Sequence, residues 1–168
     1  MTVEYLKRAS KTAASEAQNV GEIVQPILDA IEAGGEDVAK EYAAKFDQYE
    51  GTLLLTEEDI AAASAKVPQK LKDDIAFAHD NVRRFAEMQR ASMKDDEMEI
   101  VPGLIAGQRQ IPVNSAGCYI PGGRYSHIAS AIMTVTTAKV AGVNHITACS
   151  PPRKDEGIAP AIIHAAHH

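Results

Sequence analysis

The chain has 168 residues, 45% of them hydrophobic and 24% charged, and carries a net charge of −6. This composition is ordinary for a soluble globular protein and excludes disorder. No apolar run approaches the roughly 20 residues needed to span a bilayer, and the N-terminus lacks the apolar core of a signal peptide, so a cytoplasmic protein with no membrane partner is expected. Residues 1–100 hold 12 basic and 21 acidic side chains, whereas residues 101–168 hold 5 and 2. Such an acidic chain lacks the clustered basic footprint of a nucleic-acid binder.

After a polar arm to about Ser15, the residues Val20, Ile23, Val24, Ile27, Leu28 and Ile31 follow the spacing of an amphipathic helix. Gly34 and Gly35 end it, and Val38, Tyr42 and Phe46 begin a second stripe, so the spacing predicts an αα-hairpin. Residues 52–55 are a short β-prone run. Thr56 through Asp59 resemble a capping box opening a third helix, which stops near Val67 and Pro68. Pro68 then opens the longest helix, to about Met93, with Leu71, Ile75, Ala78, Val82 and Phe85 as its core face. His79, Arg83 and Arg84 fall mostly off that stripe, and His79 reads as a solvated or capping residue rather than a ligand. Residues 94–99 read as a charged linker, and residues 99–101 and 104–108 flank Pro102-Gly103 as a hairpin.

From Ile111 onward an apolar run reads as a buried strand through Gly117-Cys118-Tyr119-Ile120 and breaks at Pro121-Gly122-Gly123. A helix from about residue 127 to 141 follows, with Gly142 in the C-terminal capping place. The run His145–Cys149 comes next and stops at Pro151-Pro152. The unit is strand, crossover helix, strand, which implies parallel pairing. In such a unit the loop leaving the first strand faces ligand, and glycines there let backbone N–H groups approach an anion. Taken alone, Pro121-Gly122-Gly123 reads first as a tight turn, and the G-x-G-x-x-G fingerprint is absent. Cys118 and Cys149 sit in apolar runs and read as buried small hydrophobes. In the last helical run, from 158 to 168, Ile162, Ile163 and Ala166 would face the sheet. His164 and His168, four apart, admit a metal reading, but with His167 they read rather as an exposed helix end, or one that continues in the intact protein. No metal site is assigned. The fold class is α/β: a helical N-terminal region over 1–95, then over 96–168 the first unit of an incomplete Rossmann-like doubly wound sheet.

Tyr119-Ile120-Pro121-Gly122-Gly123, then Met133, Ala138-Lys139-Val140-Ala141-Gly142-Val143 and Ser150-Pro151-Pro152, resemble the histidinol dehydrogenase family. Members carry a Y-x-P-G-G loop and an A-K/R-x-A-G helix end at this spacing. The resemblance extends more loosely over the helical half, and a typical member is more than twice as long, so the chain is read as the N-terminal part of a larger enzyme. The resemblance implies NAD- and Zn²⁺-dependent oxidation of a primary alcohol to a carboxylate through a bound aldehyde, in a homodimer. Tyr119 matches the family's cofactor-contacting tyrosine, with Pro121, Gly122 and Gly123 shaping the loop beside it. The family's zinc ligands and catalytic base lie C-terminal to the matched region, so they are expected beyond residue 168.

Histidinol oxidisers carry small residues after the glycines, leading to a Pro-Ser-Ser/Thr segment. Here the loop is Arg124-Tyr125-Ser126-His127-Ile128-Ala129-Ser130. It is similar to the branch of the family that oxidises 2,3-dihydroxypropane-1-sulfonate, which implies Arg124, Ser126 and His127 as substrate contacts. Arg124 holding the cofactor pyrophosphate is the other reading of that residue. L-Histidinol is the alternative substrate. Outside the enzymes, the alternative is a helical interaction module with a small α/β appendage.

Overall fold

The computed structural model describes residues 14–122, 125–153 and 156–168, so most of the expected polar arm lies outside the described residues. The chain divides into two compact units, residues 1–46 and 47–168. In the first, α1 (Ala14–Asp47) is helical on both sides of Gly35, whose φ of 65° and ψ of −145° interrupt it. Glycine takes that backbone without the Cβ clash other residues suffer, which is why the two stripes part there as the sequence predicts. Val20, Ile23, Val24 and Leu28 remain exposed, whereas Ile31, Val38 and Tyr42, nearer the bend, are half-buried.

The second unit starts its helices as the sequence indicates. Thr56 caps α2 (Glu57–Ala65): its Oγ1 accepts from Asp59 N at 3.2 Å, and Asp59 Oδ2 accepts from Thr56 N at 2.9 Å. Donation to its carboxylate from Thr56 N, and from Thr56 Oγ1 at 2.7 Å, also holds the Asp59 carboxyl below its usual range. Pro68 opens α3 (Gln69–Ser92), where its missing N–H costs nothing. Residues 52–55 form no strand. Their backbone pairs with nothing in a sheet, and Leu53, Leu54 and Leu55 instead line an apolar cleft of about 380 Å³ with Ile146, Ala148 and Ile163.

The buried face of α3 is the expected one over Leu71, Ile75, Ala78 and Val82, which lie in or against the core, and departs from it at Phe85. Ile75, His79 and Ala86 are buried, while Phe85 is 60% exposed. α3 packs along α4 (Ile128–Val140), where the buried Thr136 lies within hydrogen-bond distance of His79. α4 in turn packs on α5 (Pro160–His167), which packs on α2. The core is Ile75, Ile120, Ala131, Ile132, Ala159, Ile162 and Ala165, and each isoleucine so buried contributes about 1.5 to 3 kcal/mol.

Two small sheets complete the unit. β1 (Asp96–Val101) and β2 (Leu104–Gln108) are antiparallel about Gly103, whose φ is 86°. Residues 96–99 therefore belong to a strand, not a linker: Asp96, Glu97, Met98 and Glu99 pair with Gln108, Gly107, Ala106 and Ile105, leaving their charges in solvent. β3 (Ser115–Tyr119) and β4 (His145–Cys149) are parallel, in register from Ser115 opposite His145 to Tyr119 opposite Cys149. Between them α4 ends where Gly142, at φ 87°, donates to Lys139 O and Val143 N donates to Ala138 O, the double closure of a Schellman motif. Cys118 is buried as expected, but Cys149 is exposed, because no element covers that face of β4 among the described residues. No described helix is long and apolar enough to cross a membrane. Helices thus precede residue 96 and strands begin there, while the compact units part earlier, at Phe46 and Asp47, because α3 joins the core around α4.

Candidate functional site

Parallel pairing brings the loops leaving β3 and β4 to one edge of the sheet. The ladder continues one step beyond the strands, with Ile120 N donating to Cys149 O at 2.8 Å, and Ile120 is almost wholly buried. Past it, Gly122 meets Ser150 and Pro151. A Cβ on Gly122 would stand 2.6 Å from Pro151 Cγ and 3.2 Å from its carbonyl oxygen. The glycine is required there by loop-on-loop packing, a different reason from the ligand approach the sequence suggests.

A second contact ties the same loops together. Arg153 Nη2 donates to Ser126 Oγ at 3.1 Å. The backbone of Arg153 is fixed by a turn in which its N–H donates to Gly157 O at 2.8 Å and Gly157, at φ 70°, donates back to Arg153 O at 3.1 Å. Gly122, Ser126, Ser150, Pro151 and Arg153 surround a small cavity of about 10 Å³. Ser150 Oγ is buried and has no hydrogen-bond partner among the described residues.

Of the residues singled out from the sequence, Tyr119 ends β3 with 63% of its surface exposed, so its ring is available at the carboxyl edge of the sheet. Pro121, Gly122 and Ser126 are half-buried, and Gly122 and Ser126 join Ser150 and Arg153 around the small cavity. His127 is exposed and is the N-cap residue of α4, where its side chain makes no capping bond and its carbonyl accepts from Ser130 N at 3.0 Å. Gly123 and Arg124 lie outside the described residues. Sequence reasoning missed Arg153 and Ser150 as site residues. The available signal was the parallel unit itself, which places the residues after both strands on one edge.

His79 and His164 are more buried than the sequence suggests, whereas His167 and His168 are exposed as expected of a helix end. His79 is only 5% exposed; its Nε2 lies 3.1 Å from Thr136 Oγ1, and its Nδ1 lies 3.5 Å from Arg83 Nη2. Burial, with Arg83 and His168 adding like charge, pushes its pKa below the ordinary 6.5. His164 is half-buried with Nδ1 2.7 Å from Ser64 Oγ, and burial, then Lys72, His168 and His167, lowers its pKa too. The rings of His79 and His168 are 5.2 Å apart, edge to face. Among the described residues no group of three or more His, Cys, Asp or Glu stands together as a metal site.

Residues 10–168 match the histidinol dehydrogenase family, and the chain belongs to it. It is 68% identical over 167 residues to the sulfopropanediol 3-dehydrogenase of Ruegeria pomeroyi, a match covering 99% of this chain and 38% of that protein. A histidinol dehydrogenase homolog of the same organism is 48% identical over 165 residues, covering 98% of this chain and 38% of its own length. Among solved structures, the histidinol dehydrogenase of Elizabethkingia anophelis superposes with a TM-score of 0.79 at 26% identity, over 96% of this chain and 36% of that one. The chain therefore spans well under half the length of the relatives it matches.

Proposed function

We propose that the chain is the N-terminal part of an NAD-dependent dehydrogenase that oxidises the primary alcohol of 2,3-dihydroxypropane-1-sulfonate to the carboxylate through an aldehyde. The observation that carries this reading is the 68% identity, over 99% of the chain, to a protein named sulfopropanediol 3-dehydrogenase. The site is compatible with it. An exposed tyrosine ring at the carboxyl edge of two parallel strands suits a dinucleotide, and the unpartnered Ser150 Oγ adds a hydrogen-bonding group at the same edge. NAD, when bound, supplies the hydride acceptor.

Tyr119 would contact the cofactor, with Pro121, Gly122 and Gly123 shaping the loop beside it. Arg124, Ser126 and His127 would contact the substrate and orient its sulfonate away from the reacting alcohol. Hydroxyl and guanidinium donors suit an anion, whereas L-histidinol brings an ammonium and an imidazole that a guanidinium would repel. The zinc implied by the family resemblance finds no ligand set among the described residues. The intact enzyme is proposed as a cytoplasmic homodimer whose Rossmann-like sheet begins with β3, α4 and β4. In that enzyme Tyr119→Ala is expected to raise the Kd for NADH, followed by fluorescence titration, without lowering the melting temperature. An unchanged Kd would remove Tyr119 from the cofactor site.

A further inference from the structure

We propose that Arg153 is an oxyanion-binding residue of this site, acting from the β4 loop together with Ser126 of the β3 loop. The inference rests on the proposed function for the identity of its ligand.

Three observations converge on Arg153. Its position is set, not free: the turn closed by Gly157 fixes its backbone, and the packing of Pro151 on Gly122 fixes the loop that carries it. Its guanidinium crosses from one strand's loop to the other's, reaching Ser126 Oγ at 3.1 Å. It also stands at the carboxyl edge of a parallel pair, where ligands of open α/β sheets bind.

The hydrogen-bond chemistry points outward from this pair. A guanidinium has five N–H donors in a planar fork, and among the described residues Ser126 Oγ takes one Nη2 bond. Because Ser126 Oγ accepts from Arg153, its own hydroxyl hydrogen is directed elsewhere and can donate to a group the guanidinium also faces. Two donors, one of them charged, then converge on an acceptor. A sulfonate or a phosphoryl group offers several oxygens in the geometry that an arginine fork matches. A tether that only joined two loops would not need a charge.

The test uses the full-length enzyme with Arg153→Met and Arg153→Lys. Isothermal titration measures the Kd for 2,3-dihydroxypropane-1-sulfonate and for NADH separately, and kcat/KM is measured for the sulfonate and for propane-1,2-diol, its uncharged counterpart. Losing a charge-assisted contact, Arg153→Met is expected to weaken one of the two ligands by about tenfold or more, with Arg153→Lys recovering part of the loss and the melting temperature unchanged. A loss confined to the sulfonate substrate, with propane-1,2-diol untouched, assigns the sulfonate. A loss confined to NADH assigns the cofactor pyrophosphate. Both ligands bound within about twofold of wild type, or an equal loss for charged and uncharged diols together with NADH, would overturn the proposal. A wild-type enzyme that ignores the sulfonate would defeat the proposed substrate instead, and the NADH titration would still decide the role of Arg153.

Discussion

Gly122 offers the sharpest test of how the two site loops are held. A Cβ built there stands 2.6 Å from Pro151 Cγ, and 3.2 Å from both Pro151 Cδ and the Pro151 carbonyl oxygen. Ordinary carbon contacts lie at about 3.5 to 4.0 Å, so Gly122→Ala must drive the loops apart by roughly an ångström. The proline ring cannot swing aside as a long side chain would. Overpacking of this kind costs about 1 to 3 kcal/mol. Gly117, five residues earlier in β3, is the internal control, because a Cβ there meets nothing within 4 Å. Gly117→Ala removes backbone freedom from the unfolded chain and is expected to stabilise by up to about 0.5 to 1 kcal/mol. The assay is the urea unfolding midpoint at constant m, and the two alanines should move it in opposite directions. Equal midpoints for the two variants would refute the packing account of Gly122.

The remaining expectations concern the histidine cluster and metal. Thr136→Val keeps the shape of the buried side chain but leaves His79 Nε2 without its partner at 3.1 Å, which should cost about 1 to 3 kcal/mol in urea unfolding; a variant as stable as wild type would contradict it. Because the pKa values of His79 and His164 are lowered from 6.5 on folding, the unfolded chain binds more protons below that pH. Stability should be steady above it and fall as pH drops through 6.5 towards the lowered values, so a urea midpoint that rises between about pH 7.5 and 5.5 would contradict the assignment. Metal analysis of the 168-residue chain should find no stoichiometric zinc, given the described residues. One zinc per chain, lost on His164→Ala or His168→Ala, would overturn that expectation.

Much of the fold around the site was legible because it is set by local chemistry. The capping box at Thr56, the closure at Gly142 and the run His145–Cys149 each carry their signal within a few residues, and all three appear as expected. Parallel pairing of β3 and β4 follows from the crossover helix between them. What the sequence misled on is set by distant partners. Phe85 and Ala86 both fit the α3 periodicity, and the choice between them depends on α4, some fifty residues later. His79 is buried with Thr136 as its hydrogen-bond partner, a pairing across 57 positions that no helical pattern announces. Residues 52–55 have strand-forming side chains but pair with no strand among the described residues. The position of Tyr119, Gly122 and Ser126 at the carboxyl edge of β3 was legible from their loop. Arg153 was not, since its partner is 27 residues away on the other strand's loop.

The central claim is that this chain belongs to an enzyme acting on a sulfonated diol and not on an amino alcohol. It is tested most directly by kcat/KM of the full-length enzyme for 2,3-dihydroxypropane-1-sulfonate and for L-histidinol, measured side by side with NAD. A charge-assisted contact to the sulfonate contributes about 1.5 to 3 kcal/mol, so a preference of at least about tenfold for the sulfonate is predicted. A preference for L-histidinol would contradict it.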